Sequence, residues 1–524
     1  MKRRNSQRYE TEGTITMRSK WLPRLSAALL AALASISLSL AAPAASAGGV
    51  LTIGKDQDST TFDPIKSAQN ADFWVFANMY DVLVRVDRSG TKLEPGLAEK
   101  WTISPDGLVY TFTLRDAKFS DGSPITAKDA AFTLTRIRDD KGSLWSDSYK
   151  NIASAEAKDD RTLVVTLKAK SAPFLSQLAM PGISIVSEKA VTAKGDSYAE
   201  EPVSSGAFAL KQWSRGDRVV LEKNPHFWEA DRVKLDGVEW IIIADDNTRM
   251  LKVQAGELDA AIFVPFSRVA ELKKDPNLTV HLDPSTREDH LLINHSHEPM
   301  GKKEVREALD YAIDKKGIID TVIFGLGEVA NSYIPKGALY YNADNPVRPY
   351  DPDKAKALLE AAGVKNLTLT YIVNAGNEVD EQIAVLLQQQ LAKVGVTATI
   401  QKVDPGQSWN ILVDGGYDIS VNYWTNDILD PDQKTTFVLG HDSNNNYMTR
   451  YNNPKVKALV EAARTELDEG KRAAMYKEIQ EIAKADVNWI DLYYSPYRNV
   501  SRKNIENFYQ NPLGRLFLED TAKN

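Results

Sequence analysis

Residues 367–403 read LTLTYIVNAGNEVDEQIAVLLQQQLAKVGVTATIQKV. The two ends of this stretch, 367–373 and 396–403, are rich in the β-branched and apolar residues typical of strands. Between them, 381–394 places its apolar residues three to four positions apart, and Gly395 follows as a helix terminator. Strand, helix, strand predicts a βαβ unit with two parallel strands and a right-handed crossover.

A well-marked helix precedes this unit. Asp351 followed by Pro352 is typical of an N-cap with proline at the first helical position, and Gly363 ends the apolar stripe. The half of the chain after about residue 290 is therefore helix-rich. Because open parallel sheets bind ligands beyond the carboxyl ends of their strands, this half is a candidate binding lobe.

The half before residue 290 is strand-rich. Leu108, Tyr110, Phe112 and Leu114 alternate with polar or smaller residues, which predicts a strand with one apolar face. Further strand-like runs are 162–168, 218–223 and 238–243. The chain is therefore expected to be a mixed α/β protein.

Composition excludes several classes of protein. The 524 residues are 43% apolar and 26% charged, and they include no cysteine. Disulfide frameworks, thiolate metal sites, cysteine nucleophiles and a lipid-anchored cysteine are therefore ruled out. The formal net charge of −7 argues against nucleic acid as the main partner.

The N-terminal segment 1–47 is typical of a secretory signal. Basic residues precede an apolar run at 25–42, and the segment ends in a small-x-small triplet at 45–47. A membrane anchor is the alternative interpretation, and Met1 or Met17 is the start. Without the seven basic and two acidic residues of 1–47 the net charge is −12. We expect an exported, soluble protein located in the periplasm.

Sequence blocks across about 51–500 occur in the order typical of one family. They are LEPGLAEKW at 93–101, SPDG at 104–107, FSDG at 119–122, TAKD at 126–129, GAF at 206–208, NPHFW at 224–228, GELD at 256–259, VREAL at 305–309, AID at 312–314 and YDP at 350–352. This series resembles the extracytoplasmic solute-binding proteins of peptide and nickel ABC importers.

The resemblance implies an α/β fold of the two-lobed periplasmic-binding-protein type (type II, cluster C). Lobe I is expected at 48–290, with an extra strand-rich subdomain at about 80–215. Lobe II is expected at 291–489, and 490–524 returns to lobe I. Two chain crossings, near 291–293 and near 489–492, are expected to form a hinge.

The resemblance also implies the function. The chain is expected to be the periplasmic binding subunit of an ABC importer that captures extended peptides between its lobes. Its partners are then the peptide and the permease and ATPase subunits at the inner membrane. We expect a monomer without cofactor, resident metal, nucleic-acid partner or catalytic residues.

The expected ligand site follows the strand at 417–424. In the resembling peptide binders an aspartate three residues after a tryptophan pairs with the peptide amine, and that position here is Asp427. Trp424 is expected against the ligand, and main chain near it should pair with the extended peptide. The expected ligand-binding residues are Tyr423, Trp424, Thr425, Asn426 and Asp427. Alternatively, Asp427 caps a turn and Trp424 packs in the core.

One stretch departs from the family pattern. Dipeptide binders use an arginine in a lobe II strand and loop to bind the terminal carboxylate, whereas 371–378 contains no arginine. A strict dipeptide preference is therefore not expected. Longer peptides, or a ligand without a carboxylate there, fit better.

Aromatic residues in the expected cleft segments are a further candidate feature. Their flat surfaces accept varied side chains, although core packing explains them equally well. They are Trp409, Tyr417, Tyr423, Trp424, Tyr493 and Tyr494.

The same family also includes binders of nickel, heme, opines and sugars, so such a ligand is the alternative to a peptide. His295 and His297 form the only closely spaced histidine pair after residue 47. Without thiolates or a patterned acidic set, this pair is a weak indication of a metal site.

A secreted hydrolase is the alternative from another class. The sequence lacks the serine-elbow, zinc-helix and phosphate-loop motifs. Acidic pairs such as Asp245 and Asp246, or Asp430 and Asp432, have the residue type that a glycosidase requires. With so many acidic residues in the chain, chance adjacency is the simpler explanation of these pairs.

Overall fold

The structure, a computed structural model, describes residues 48–440 and 448–524. The predicted secretory segment 1–47 lies outside the described residues. Among the helices that are described, none has the length and apolar character needed to span a membrane.

The described residues form alternating strands and helices. The strands are Val50–Lys55 (β1), Val84–Val86 (β2), Leu93–Pro95 (β3), Ala98–Ile103 (β4), Val109–Leu114 (β5), Ile152–Ala157 (β6), Thr162–Leu167 (β7), Phe208–Ser214 (β8), Arg218–Lys223 (β9), Gly237–Ile242 (β10), Ala260–Ala261 (β11), Leu278–Asp283 (β12), Glu288–Ile293 (β13), Glu328–Val329 (β14), Thr368–Asn374 (β15), Thr397–Val403 (β16), Ile419–Trp424 (β17), Ile490–Tyr494 (β18), Tyr497–Arg502 (β19), Ile505–Glu506 (β20) and Ala522–Lys523 (β21). The α-helices are Asn70–Met79 (α1), Ala127–Asp139 (α2), Ser146–Tyr149 (α3), Phe174–Gln177 (α4), Glu188–Lys194 (α5), Asp246–Ala255 (α6), Val269–Leu272 (α7), Lys303–Tyr311 (α8), Lys315–Thr321 (α9), Pro352–Ala361 (α10), Glu378–Ala392 (α11), Pro405–Asp414 (α12), Asp432–Thr435 (α13), Pro454–Thr465 (α14) and Glu469–Asp486 (α15).

The first large sheet has seven strands in the order β12-β19-β11-β1-β10-β9-β8. Strand β1 lies parallel to both β10 and β11, so their carboxyl ends meet at one edge of the sheet. Buried side chains such as Leu51, Ile53 and Trp240 join one face of this sheet to the main hydrophobic cluster.

A separate four-stranded antiparallel sheet, β4-β5-β7-β6, lies within the predicted strand-rich insertion. Strand β5 buries Tyr110, Phe112 and Leu114, which confirms the alternation predicted from the sequence. These side chains pack in the same hydrophobic cluster as the seven-stranded sheet. The insertion therefore shares the core of lobe I.

The second large sheet has six strands in the order β14-β18-β13-β17-β15-β16. Strands β15 and β16 pair in parallel, with Leu369 opposite Ala398, and α11 joins them. Helix α11 buries Ile383 and Leu387 in the hydrophobic cluster of this sheet. The predicted βαβ unit is confirmed.

The helix predicted to begin at Pro352 is also confirmed. Asp351 accepts a hydrogen bond from the Lys354 backbone N–H at 2.9 Å, as an N-cap should. Two residues after the helix end, Gly363 adopts a φ of 72°, which a residue with a Cβ atom adopts only with strain.

The chain passes between the two large sheets twice. Strand β12 belongs to the seven-stranded sheet and β13 to the six-stranded sheet, so the first crossing is 284–287. The return crossing is 495–496, between β18 and β19. Ser285 Oγ donates to the Ser495 carbonyl at 2.5 Å and joins the two crossings. The crossings lie close to the predicted hinge segments, which fall within or beside β13 and β18; the lobe boundaries and the hinge motion stay predictions.

Candidate functional site

The expected ligand site follows strand β17 and lies at the carboxyl-terminal end of that strand in the six-stranded sheet. It pairs antiparallel with β13, which places Asp289 opposite Tyr423 and Glu288 opposite Trp424. Its parallel pairing with β15 covers Ile419 and Ser420. The residues after Trp424 therefore leave the sheet at the carboxyl ends of β15 and β17, where α/β sheets bind ligands.

The Tyr423 ring is held in place by a guanidinium group. Arg287 lies in the first crossing, and its guanidinium carbon is 3.7 Å from the centre of the Tyr423 ring. Arg287 in turn donates from Nε and Nη2 to the Asp289 carboxylate at 2.8 and 2.7 Å. Tyr423 keeps 40% of its surface exposed, so this fixed ring presents a face for contact with a ligand.

Trp424 and Phe437 form a second aromatic surface. Their ring centres are 5.8 Å apart with an angle of 41° between the planes. Trp424 is half-buried and Phe437 is 37% exposed. Trp424 is thus not a fully enclosed core residue, and Thr425 beside it is likewise half-buried.

Asn426 connects this loop to the first crossing. Its backbone N–H donates to Thr286 Oγ1 at 2.9 Å, and that hydroxyl donates to the Pro512 carbonyl at 3.0 Å. The side-chain Oδ1 of Asn426 is buried, and it has no hydrogen-bond partner among the described residues. A buried acceptor of this kind is stabilised when a ligand N–H reaches it.

Asp427 lies next in the loop and is half-buried. Burial raises the pKa of its carboxyl group to about 6, and this effect outweighs the opposing effects of the Arg515 charge and the Gln433 side chain. Arg515 donates from Nη2 to the Asp427 carbonyl at 2.5 Å and from Nη1 to the Ala179 carbonyl at 2.7 Å. A dehydrated carboxylate gains more from a bound cation than an exposed one does.

Two further acidic residues near Tyr423 were missed by the sequence analysis. Asp56 follows β1, and its Oδ1 is buried without a hydrogen-bond partner among the described residues. Asp380 lies in the first turn of α11, where burial raises the pKa of its carboxyl group to about 7 although Arg287 lowers it. Both acidic residues lie close enough to affect the charge at Tyr423. No sequence motif marked them, because they approach each other only in the fold.

Arg498 was also missed. It is the second residue of β19, the strand that follows the return crossing. Burial lowers the pKa of its guanidinium group to about 9, and the Arg287 charge lowers it further. Strand β19 carries two half-buried arginines, Arg498 and Arg502, among buried neutral residues, and this pattern was the available signal.

The histidine pair is not arranged as a metal site. His295 Nε2 lies 2.9 Å from the Asn488 carbonyl, and burial together with the Arg306 charge lowers the pKa of His295 to about 3. His297 Nδ1 lies 2.9 Å from Asp418 Oδ1. Among the described residues, no three acidic or histidine side chains form a group suited to a metal ion.

The acidic pairs considered for a hydrolase have structural partners. Asp245 caps α6 by accepting from the Thr248 backbone N–H at 2.7 Å, and Asp246 pairs with Arg249. The second pair is engaged in the same way: Asp430 contacts Arg472 at 2.7 Å and Asp432 contacts Arg464 at 3.2 Å.

The remaining aromatic candidates divide between core and surface. Tyr417 is buried, and its hydroxyl donates to the Met448 carbonyl at 2.8 Å. Tyr493 and Tyr494 are buried too, whereas Trp409 on α12 is 55% exposed. Of the six, Tyr423 and Trp424 therefore lie at the candidate site with part of their surface exposed.

The chain is similar in sequence to known binding proteins over most of its length. The model of the bacterial extracellular solute-binding proteins, family 5, matches residues 92–483. The di/tripeptide-binding protein 1 of Pseudomonas aeruginosa is 30% identical over 519 residues, which cover 93% of this chain and 96% of that protein. The glutathione-binding protein GsiB of Salmonella typhimurium is 31% identical over 505 residues, covering 94% and 98%.

The fold also matches solved structures. The periplasmic binding protein DppA of Helicobacter pylori, in complex with the peptide STSA, superimposes with a TM-score of 0.83. It is 27% identical, and the match covers 91% of this chain and 98% of that one. The α/β two-lobed architecture is therefore shared over nearly the whole described chain.

Proposed function

Because the chain belongs to the bacterial extracellular solute-binding proteins, family 5, the binding subunits of ABC importers, we propose that it captures peptides in extended form between two hinged lobes. The relatives are named as binding proteins, and the probable D,D-dipeptide-binding protein DdpA of Escherichia coli is named as periplasmic. In this proposal the chain works as a monomer in the periplasm and delivers its peptide to the membrane permease, which a cytoplasmic ATPase drives.

The half-buried carboxylate of Asp427, whose pKa is raised by burial, is the single observation that carries the proposal. A peptide α-amino group is cationic near neutral pH, and it forms a charge-assisted hydrogen bond with such a carboxylate. The adjacent Asn426 Oδ1 is a buried acceptor suited to the same end of a peptide. In this arrangement one end of the ligand is bound by charge, independently of its side chains.

The neighbouring residues suit the rest of an extended peptide. Every peptide offers the same N–H and C=O groups, so main-chain pairing beside Tyr423 and Thr425 supports binding of many sequences. The exposed faces of Tyr423 and Trp424 contact side chains with little dependence on their shape. The H. pylori DppA structure, which contains a peptide, supports this interpretation.

Native mass spectrometry of the protein purified from a periplasmic extract tests the proposal. Retained ligand with peptide masses is expected, and fragmentation identifies its length and sequence. A nickel chelate, an opine or a sugar at the same stoichiometry would contradict the peptide assignment while leaving the family assignment intact. Turnover of peptide or glycoside substrates by the pure protein would contradict the transport role.

A further inference from the structure

Ile428 connects the two predicted lobes through its side chain. It lies in residues 425–430, the segment after β17 that we call the β17 loop. Its side chain is 2% exposed and belongs to the main hydrophobic cluster, which includes one face of the seven-stranded sheet. Every other buried residue of that cluster lies at 51–262 or 505–518, in predicted lobe I or in the C-terminal return to it. A residue of predicted lobe II therefore packs in the core of lobe I.

The residues on either side of Ile428 contact lobe I as well. Leu429 is half-buried. It packs against a small cluster that consists of Val86, Ala179 and Leu513. On the other side, the Asp427 carbonyl accepts a hydrogen bond at 2.5 Å from Nη2 of Arg515, which belongs to the C-terminal return. Three consecutive residues of the β17 loop thus contact lobe I.

Both ends of the β17 loop are fixed in predicted lobe II. The loop begins at the end of β17, inside the six-stranded sheet. At its other end, the Asp430 carboxylate contacts Arg472 of α15 at 2.7 Å. Helix α15 in turn buries Ile479 in one hydrophobic cluster with Leu292 of β13 and Ile372 of β15. The residues between these two ends therefore project from one lobe into the other.

This arrangement makes the burial of Ile428 depend on the separation of the lobes. Because the β17 loop is fixed at both ends in lobe II, a hinge rotation that separates the lobes withdraws Ile428 from lobe I into water. Burial of an isoleucine side chain favours the closed arrangement by about 10- to 100-fold. A ligand that binds the closed arrangement gains affinity from this preference through a shift in population.

We propose that Ile428 couples peptide capture to closure of the two lobes, as a positioning residue that contacts lobe I and not the peptide. Asp427, which is proposed to bind the peptide amine, directly precedes it, so the residue that binds the guest and the residue that stabilises closure move together. The inference rests on the proposed capture of peptides between hinged lobes. It assigns part of the affinity to a contact within the protein, which does not depend on the peptide sequence.

Two forms of a tripeptide library test this role. Mixed tripeptides with free amines and the same tripeptides after N-acetylation are titrated against the unliganded full chain, and native mass spectrometry measures the bound fraction. Ile428→Ala is expected to lower the affinity for both forms by the same factor, about 10-fold or more, because both depend on closure. If Ile428 only oriented Asp427, the loss would be confined to the free-amine form.

The distance between the lobes tests closure directly. The chain has no cysteine, so spin labels can be attached at Lys158→Cys in the insertion and at Lys393→Cys after α11, both exposed positions. Double electron–electron resonance then measures the short-distance and long-distance populations with and without the tripeptides. Ile428→Ala is expected to lower the ratio of short-distance to long-distance molecules by about 10-fold or more.

Two further variants serve as controls. Ile428→Val removes one methylene group and should change both measurements by about fourfold in the same direction, which covers the case in which Ile428→Ala does not fold. Ile137 on α2 is fully buried in the same hydrophobic cluster but lies within predicted lobe I. Ile137→Ala should therefore lower the stability while leaving the affinities and the distance populations at their wild-type values.

The outcomes separate the two proposals. Equal losses of affinity for both peptide forms, with fewer short-distance molecules in the Ile428 variants but not in Ile137→Ala, support the coupling. Unchanged distance populations in both Ile428 variants, or a loss of affinity confined to free-amine peptides, overturn the coupling while peptide binding stands. If the wild type binds neither library, the proposed function fails, and the inference fails with it.

Discussion

Buried charges packed around the six-stranded sheet differ from the charge of Asp427 in the loop after β17. Within the lobe, buried lysines contact buried acids directly: Lys434 and Glu288 at 3.3 Å, Lys484 and Asp491 at 2.6 Å, and Lys315 and Asp310 at 2.6 Å. In the loop after β17, burial raises the pKa of Asp427 to about 6, although the Arg515 charge and the Gln433 side chain oppose this effect.

The paired buried charges stabilise the fold, whereas the charge of Asp427 is the one proposed to bind a ligand. A paired buried ion loses stability when its partner is removed, because the remaining charge is uncompensated. At Asp427 the cost of burial outweighs the effects of the Arg515 charge and the Gln433 side chain, so removal of its charge should leave stability unchanged or increase it. Mutations in the two regions should therefore affect different measurements.

The largest effect is expected from Lys434→Met. It leaves Glu288 buried without its lysine, and the free energy of unfolding should fall by about 3–5 kcal/mol. Urea unfolding followed by tryptophan fluorescence measures the change. The double variant Glu288→Gln with Lys434→Met should recover most of the loss.

Lys316→Met is the control for that experiment, because the Lys316–Asp320 pair is exposed. Its effect should stay within about 0.5 kcal/mol. If Lys434→Met lowered the free energy of unfolding no more than this control does, the buried Lys434–Glu288 pair would not stabilise the fold. The proposed difference between paired and unpaired buried charges would then be contradicted.

Asp427→Asn should mainly affect binding. Affinity for peptides with a free amine is expected to fall by about 30-fold or more, because a buried charge-assisted contact is lost. Affinity for the N-acetylated peptides should change little, and the free energy of unfolding should not fall. Isothermal titration calorimetry of both peptide forms measures the difference.

Asp414→Asn provides the matched control for Asp427, since Asp414 is an exposed aspartate at the end of α12. It should leave both affinities unchanged. Equal losses for free and acetylated peptides in Asp427→Asn would show that Asp427 supports the shape of the loop and does not bind the amine.

The pH dependence of binding should follow the raised pKa of Asp427. As the pH falls below about 6, the carboxyl group takes up a proton and loses the charge that binds the amine, which itself stays protonated. Affinity for free-amine peptides should then fall about tenfold per pH unit. Asp380, with its pKa near 7, also titrates in this range, so Asp427→Asn is needed to isolate the effect. The same slope in wild type and Asp427→Asn would contradict the assignment.

Apart from the control variants, Ser285→Ala should have the smallest effect. It removes the hydrogen bond from the first crossing to the Ser495 carbonyl, which should cost about 0.5–1.5 kcal/mol of unfolding free energy. Thermal unfolding measures the change. A loss as large as that in Lys434→Met would mean that the two crossings depend on each other more than one hydrogen bond explains.

Local parts of the fold were predictable from the sequence. The cap at Asp351, the alternation in β5 and the unit formed by β15, α11 and β16 depend on residues close together in the chain. Spacing and turn residues express such structure directly. The pairing of β17 with β13 was not predictable, because these strands lie far apart in the sequence and no periodicity records which strands become neighbours.

The site was predictable only in part. The position of Asp427 came from a family resemblance, and the structure adds the burial that raises the pKa of its carboxyl group. Asp56, Arg287, Asp380 and Arg498 come from separate segments, and each is an ordinary charged residue when considered alone. Whether each of these residues matters for the site depends on which charged side chains it lies beside in the fold, and the sequence does not show this.

A crystal structure of the protein with a bound tripeptide tests the central claim most directly. The account predicts the peptide amine within about 2.6–3.2 Å of the Asp427 carboxylate. A peptide lying in the reverse direction, or one bound away from Asp427, would contradict it.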